Sequence, residues 1–237
     1  MIRRLLPGFL GRWLAPPVAL PAWPAFVAWA RAQGWVLKRA QSHDGWVMEQ
    51  QRALPGWRIE WGPAQRAFMG SHEFRIRIDL PAAPDVAVMI LDRPLLQRID
   101  HALWQQFTQG NQTRFDDSAP EEMRWLALHE KLGPELGLLR ERYGGVADDP
   151  DVAARWLQAG LSDALQRLSR DILPEQASVQ PMLLRLTRGQ LMLRQAAERP
   201  DPILLERCIG VAKAAQAACP IGPIVSAGPP IDPTDLR

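Results

Sequence analysis

"GWRIEWGPAQRAFMGSHEFRIRIDL" (Gly56 to Leu80) decides how the rest of the chain is read. In its first arm Trp57, Ile59 and Trp61 alternate with Arg58 and Glu60. In its second, Phe74, Ile76, Ile78 and Leu80 alternate with Arg75, Arg77 and Asp79. Successive side chains of a strand point to opposite faces, so the apolar set turns inward and the charged set outward. Upstream, "GWVLKRA" and "GWVMEQQ" read as two more strands, joined through the turn "QSHDG". Downstream, "VAVMIL" (Val86 to Leu91) has lost the alternation, as a central strand covered on both faces would. Strands this closely spaced leave no room for helical crossovers, so the sheet is expected to be mainly antiparallel.

Helical signals flank these strands. A short helix is expected over Ala22 to Gln33, with Pro24 in its first turn and Gly34 past its end. "RPLLQRIDHALWQQF" (Arg93 to Phe107) places Leu95, Ile99, Ala102 or Leu103, and Phe107 on one stripe. A further helix follows the N-cap Asp149 and Pro150, with Ala153, Trp156, Leu157, Leu161, Ala164, Leu165 and Leu168 buried. "PMLLRLTRGQLMLRQ" reads as a hairpin turning at Thr187 to Gln190, and a last helix runs from about Pro202 to Ala217. "RYGG" before "VADD" reads as a turn. The expected fold class is therefore α+β: a mainly antiparallel sheet whose apolar face is covered by the helices at 94–107 and 151–170. An N-terminal arm (1–21) would precede a globular region (22–218), either continuous or divided into lobes 22–110 and 111–218. A flexible Pro-rich tail (219–237) would follow it.

Two parts of the chain carry a resemblance. "GGVADDPDVAARWLQAGLSDALQRL", followed by "LLRLTRGQLMLR" and "DPILLERCIGVAKAAQAA", resembles a pattern of uncharacterised proteobacterial proteins. In those a short strand leads to a helix, a hairpin and a last helix rich in Leu and Ala. The stretch Gly56 to Leu80 is similar to proteins of the same kind. The resemblance implies an α+β fold and no activity, so it assigns no functional residue.

Composition narrows the classes. The 237 residues are 47% apolar and 23% charged, with a formal net charge of +2, which selects no partner by charge alone. Cys208 and Cys219 lack the spacing of a disulfide framework or a zinc knuckle, so a cytoplasmic setting is expected, without cofactor or metal. The opening "MIRRLLPGFLGRWLAPPVALPAWPAF" has the arginines of a leader, but prolines and Arg12 interrupt every apolar run. It reads as an arm able to touch another protein or a membrane face.

No catalytic motif stands out. Asp116, Asp117, Glu121 and Glu122 in "TRFDDSAPEEMRW" (Thr113 to Trp125) lack the spacing of a cation loop. Ser118 and Glu121 instead form a capping-box pattern, with both glutamates at the positive end of a helix. The four histidines form no metal motif, and phosphate-loop and nucleophile-elbow patterns are absent. Arg58, Arg75 and Arg77 share a sheet face that Arg185 and Arg194 would extend, yet Trp57, Trp61 and Phe74 alternate to the other side. Nucleic-acid binding needs stacking rings and cations together, so it is disfavoured. Ten Trp against one Tyr point to a protein–protein interaction role, with Arg12, Trp13, Trp23, Arg98 and Trp104 as contributors. Association of the chain with itself is open. The alternative is a hydrolase-like enzyme whose site assembles from distant residues, with His43, Asp44 and His101 as members.

Overall fold

A computed structural model of the chain describes residues 23–40, 44–50, 56–80, 86–109, 120–158, 160–170 and 180–219. The expected arm (1–21) and the tail beyond residue 219 lie outside them. In chain order the elements are α1 (Trp23–Ala32), β1 (Trp35–Arg39), β2 (Trp46–Gln50), β3 (Trp57–Pro63), β4 (His72–Asp79) and β5 (Ala87–Asp92). Then come α2 (Arg93–Gln109), α3 (Glu121–Leu128), β6 (Glu130–Lys131), β7 (Tyr143–Ala147), α4 (Pro150–Leu157) and α5 (Gly160–Arg170). The hairpin strands β8 (Met182–Thr187) and β9 (Gln190–Ala196) and the helix α6 (Pro202–Ala217) complete the order. Among the described residues no helix is long and apolar enough to cross a membrane.

All the strands join in one nine-stranded sheet of order β1-β2-β3-β4-β9-β8-β5-β7-β6. Every neighbouring pair is antiparallel. The two strand-rich regions of the sequence thus share a sheet, and strands from the two halves of the chain interleave within it. The β8–β9 turn holds Arg188 at φ 47° and Gly189 at φ 68°, the doubly positive conformation that a two-residue hairpin needs.

One face of the sheet carries Trp57, Ile59, Phe74, Ile76, Ile78, Val88, Ile90, Leu184 and Leu193, all buried. They form a continuous core with Trp156, Leu157 and Leu161, the rest of the core set that the alternation marks, and with residues of α1 and α6. Indoles fasten α6 and the segment before it to this layer. Trp57 Nε1 donates to Gln216 Oε1 (3.2 Å), Trp61 Nε1 to the Ala197 carbonyl (2.9 Å) and Trp156 Nε1 to the Ala215 carbonyl (2.9 Å). Trp35, Trp46, Trp57, Trp61, Trp125 and Trp156 are all buried, so the abundance of indoles is largely a property of the core.

The structure corrects four expectations. The helices at 94–107 and 151–170 do not cover the same face. Leu95, Ile99 and Leu103 of α2 pack with Met89, Leu91, Val146 and Leu183, on the side opposite Ile90 and Leu184. β5 is therefore covered on both sides, which is why its sequence lost the alternation. The helix at 151–170 is two helices, because Gln158 turns extended (φ −68°, ψ 162°) before Gly160 begins α5. The Ser162 hydroxyl donates to the Leu157 carbonyl across the break. Both pieces still bury their stripe in one core, so the pattern of apolar residues was continuous while the backbone was not. "RYGG" is part of β7, not a turn. A Cβ on Gly145 would lie 2.4 Å from the Met89 carbonyl oxygen, and one on Gly144 would lie 2.3 Å from Leu96 Cδ2. These glycines allow α2 and β5 to approach β7 closely. Finally, α3 begins at Glu121 with Pro120 at its N-cap and no side-chain cap, so the capping-box frame does not hold among the described residues. Ser118, Asp116 and Asp117 lie outside them.

Asp92 links these layers at the start of α2. Its Oδ1 accepts from the Leu95 N–H (2.8 Å) as an N-cap, and its Oδ2 accepts from the Met182 N–H (2.6 Å) of β8. Burial pushes its carboxyl above the ordinary range, although these two N–H donors favour the ionised form.

A charged half-face as candidate site

The register of the sheet sorts the outward charges into two cross-strand rows. One row runs Glu49, Arg58, Arg77, Met192, Arg185, Met89 and Val146 across β2, β3, β4, β9, β8, β5 and β7. The next runs Val47, Glu60, Arg75, Arg194, Leu183, Leu91 and Gly144 across the same strands. Both change from charged to apolar along their length. The apolar end lies beneath α2 and α3. Over the charged end, β1 to β4, no described helix packs, and a groove of about 630 Å³ opens there between Lys38, Arg39, Glu49, Arg58, Glu60 and Arg75.

The charges are mutually ordered. Glu49 takes Lys38 at 3.1 Å and Arg58 at 2.5 Å; Glu60 takes Arg58 at 2.6 Å and Arg75 at 2.9 Å. Deeper in, Glu73 Oε1 receives Arg75 at 3.2 Å, Arg194 at 2.7 Å and the Gln65 N–H at 2.9 Å. Glu73 is fully buried, and its Oε2 has no partner among the described residues. Burial holds the Arg194 guanidinium below its ordinary range, against the pull of Glu73 and Glu122. The first turn of α3 closes the deep end: Glu122 is buried against Arg66 (2.9 Å), and Glu121 meets Arg185 (2.6 Å). Arg185 also lies 5.6 Å from the centre of the Trp125 ring. The two glutamates thus bind arginines of the sheet and its β3–β4 connection, a role that their place in a helix start did not reveal.

Glu60 gives this lattice a pH dependence. Burial pushes its carboxyl up, but Arg58 and Arg75 outweigh it and hold the group below the ordinary glutamate range. A depressed folded-state value contributes stability that is present above the unfolded value and lost as pH falls through the folded one. Glu60→Gln is expected to flatten the acid limb of the stability–pH curve below about pH 5, read by urea midpoints across pH. An unchanged limb would show the ladder to be energetically idle.

The residues singled out in the sequence are dispersed. Arg12, Trp13 and His43 lie outside the described residues, and Trp23 opens α1. Arg98 and Trp104 are on α2, on the same side of the sheet as the charged half-face. Arg98 donates to the Phe68 carbonyl at 3.4 Å, and Trp104 is 70% exposed. His101 meets Gln105 at 2.9 Å, whereas Asp44 meets His72 at 3.3 Å. Ser71 Oγ lies 3.3 Å from the other ring nitrogen of His72, and Trp61 stacks on the imidazole at 4.9 Å. Among the described residues no group of three or more His, Cys, Asp or Glu is placed to hold a metal ion.

No family model and no curated protein matches the chain. The crystal structure of the mycobacterial trehalose monomycolate transport factor A, TtfA, is similar at a TM-score of 0.44 and 9% identity, over 83% of this chain and 94% of that one. A likeness this distant transfers no residue role.

Proposed function

We propose that the protein is a docking module of a bacterial cytoplasmic assembly, which binds another protein through the charged half-face of β1 to β4. One observation carries the reading: helices cover this side of the sheet over β8, β5 and β7, while its β1 to β4 part carries an ordered ion-pair ladder and a groove instead. Arginines fixed by carboxylates lose less freedom on binding than loose ones, which suits them to recognition. Arg98, which reaches the β3–β4 connection from α2, would extend the contact. The partner is a protein, because the rings that could stack on bases, Trp57, Trp61 and Phe74, are buried in the opposite layer.

A photo-cross-linking residue at Lys38, 63% exposed on this face, tests the reading in cells of the native organism. Ile203, 61% exposed on α6, is the control position. Docking predicts a discrete cross-linked protein from position 38 and none from position 203. Identical patterns from both, or none from either, would sink it. A hydrolytic reading is favoured by one arrangement, the line Ser71–His72–Asp44. Labelling of Ser71 by a fluorophosphonate probe, lost in His72→Ala, would support that alternative.

A further inference from the structure

We infer that the docked segment presents a carboxylate that sits between Arg58 and Arg77, an inference that rests on the docking reading above. Arg58 on β3 is directly opposite Arg77 on β4. Like charges so placed destabilise a strand pair unless something neutralises them. Arg58 is drawn toward Glu49 and Glu60, at 2.5 and 2.6 Å, and among the described residues the carboxylate nearest Arg77 is Asp79 at 3.7 Å. No described carboxylate touches both arginines.

The neighbouring row holds the same arrangement in completed form. Arg75 on β4 is directly opposite Arg194 on β9, and Glu73 Oε1 lies within 3.2 Å of one and 2.7 Å of the other. One carboxylate thus bridges one cross-strand arginine pair. The completed pair is sheltered, with side chains 12% and 7% exposed, whereas Arg58 and Arg77 are 39% and 44% exposed. Among the described residues the open pair has no bridging carboxylate, and it lies at a place where a partner can supply one. Two planar forks facing one carboxylate would give charge-assisted bonds with defined direction.

The surrounding charges select the carrier. Glu49, Glu60 and Asp79 flank the pair, so a dense polyanion such as single-stranded nucleic acid would meet repulsion at each step. An extended peptide can set one acid between the arginines and neighbouring basic side chains against the glutamates, which is the pattern of the face in reverse.

A fluorescent octapeptide of alternating Glu and Lys is the probe, titrated by anisotropy at low salt. The same peptide with Gln for Glu and a single-stranded oligonucleotide accompany it. Binding of the Glu-Lys peptide is expected, weakened at least about tenfold by Gln for Glu and by Arg77→Gln, and unchanged by Arg199→Gln at an exposed arginine elsewhere. Equal binding to the Arg77→Gln variant, equal binding of the Gln peptide, or no binding at all would overturn the inference. So would oligonucleotide binding that is tighter and lost in Arg77→Gln. If cross-linking from Lys38 succeeds while the peptide arm fails, the carboxylate inference falls and the docking reading stands; if cross-linking also fails, both fall.

Discussion

Trp156→Ala is expected to lower the unfolding free energy by about 3–5 kcal/mol, the cost of a cavity left by a large buried ring. Trp156 is fully buried in α4, and its Nε1 donates to the Ala215 carbonyl near the end of α6. Truncation therefore empties the space between α4 and the sheet, and it also removes the donor that satisfies a helix-end carbonyl. Domains of this size are stable by roughly 5–15 kcal/mol, so the variant should sit close to the folding threshold. Urea denaturation of Trp156→Ala beside Trp104→Ala reads the effect. Trp104 is 70% exposed on α2, and its loss should move stability by no more than about 0.5 kcal/mol. Similar midpoints for the two variants would mean that Trp156 does not occupy the core described.

Removing Glu73 alone should be about as damaging, at roughly 3–5 kcal/mol, for an electrostatic reason. Glu73→Ala leaves Arg194, 7% exposed, without its carboxylate and deprives the Gln65 N–H of its acceptor. The desolvation of that guanidinium is then uncompensated. The pair itself is less valuable than its breakage suggests. Among the described residues Glu73 Oε2 has no partner, so the buried charge is incompletely satisfied by them. A double variant, Glu73→Leu with Arg194→Met, is accordingly expected to recover most of the loss. If the double variant were as unstable as Glu73→Ala, the cost would lie in packing at this position, and the ion pair would not be its source.

The sheet was legible wherever period two was clean. β3, β4, β8 and β9 follow directly from alternation, and α6 runs over the residues Pro202 to Ala217 that its proline and apolar content mark. β7 was hidden because its glycines serve close approach of neighbours, and glycine usually signals a turn. The break at Gln158 was hidden because both helices feed one core and so keep one continuous stripe. At the charged face, alternation showed which arginines point outward. That Arg75 faces Arg194 depends on β9 lying beside β4, a pairing across more than a hundred residues that no local pattern records. Glu122 does lie in the first turn of its helix, but its partner was hidden for the same reason: its arginine comes from the β3–β4 connection.

The interleaved strand order has a consequence for how the molecule comes into being. β1 to β4 are sequential neighbours and can close hairpin by hairpin as they emerge during synthesis. β5 emerges next, apolar on both sides, yet its partners begin only at Tyr143 and Met182. Until the ribosome has delivered them, this central strand is an unpaired, sticky segment whose shelter is α2 at most, the period in which a chain is open to chaperones and to aggregation. Pulse-labelled hydrogen exchange during refolding should find β2 to β4 protected before β5; simultaneous protection would mean that the sheet closes in one concerted event.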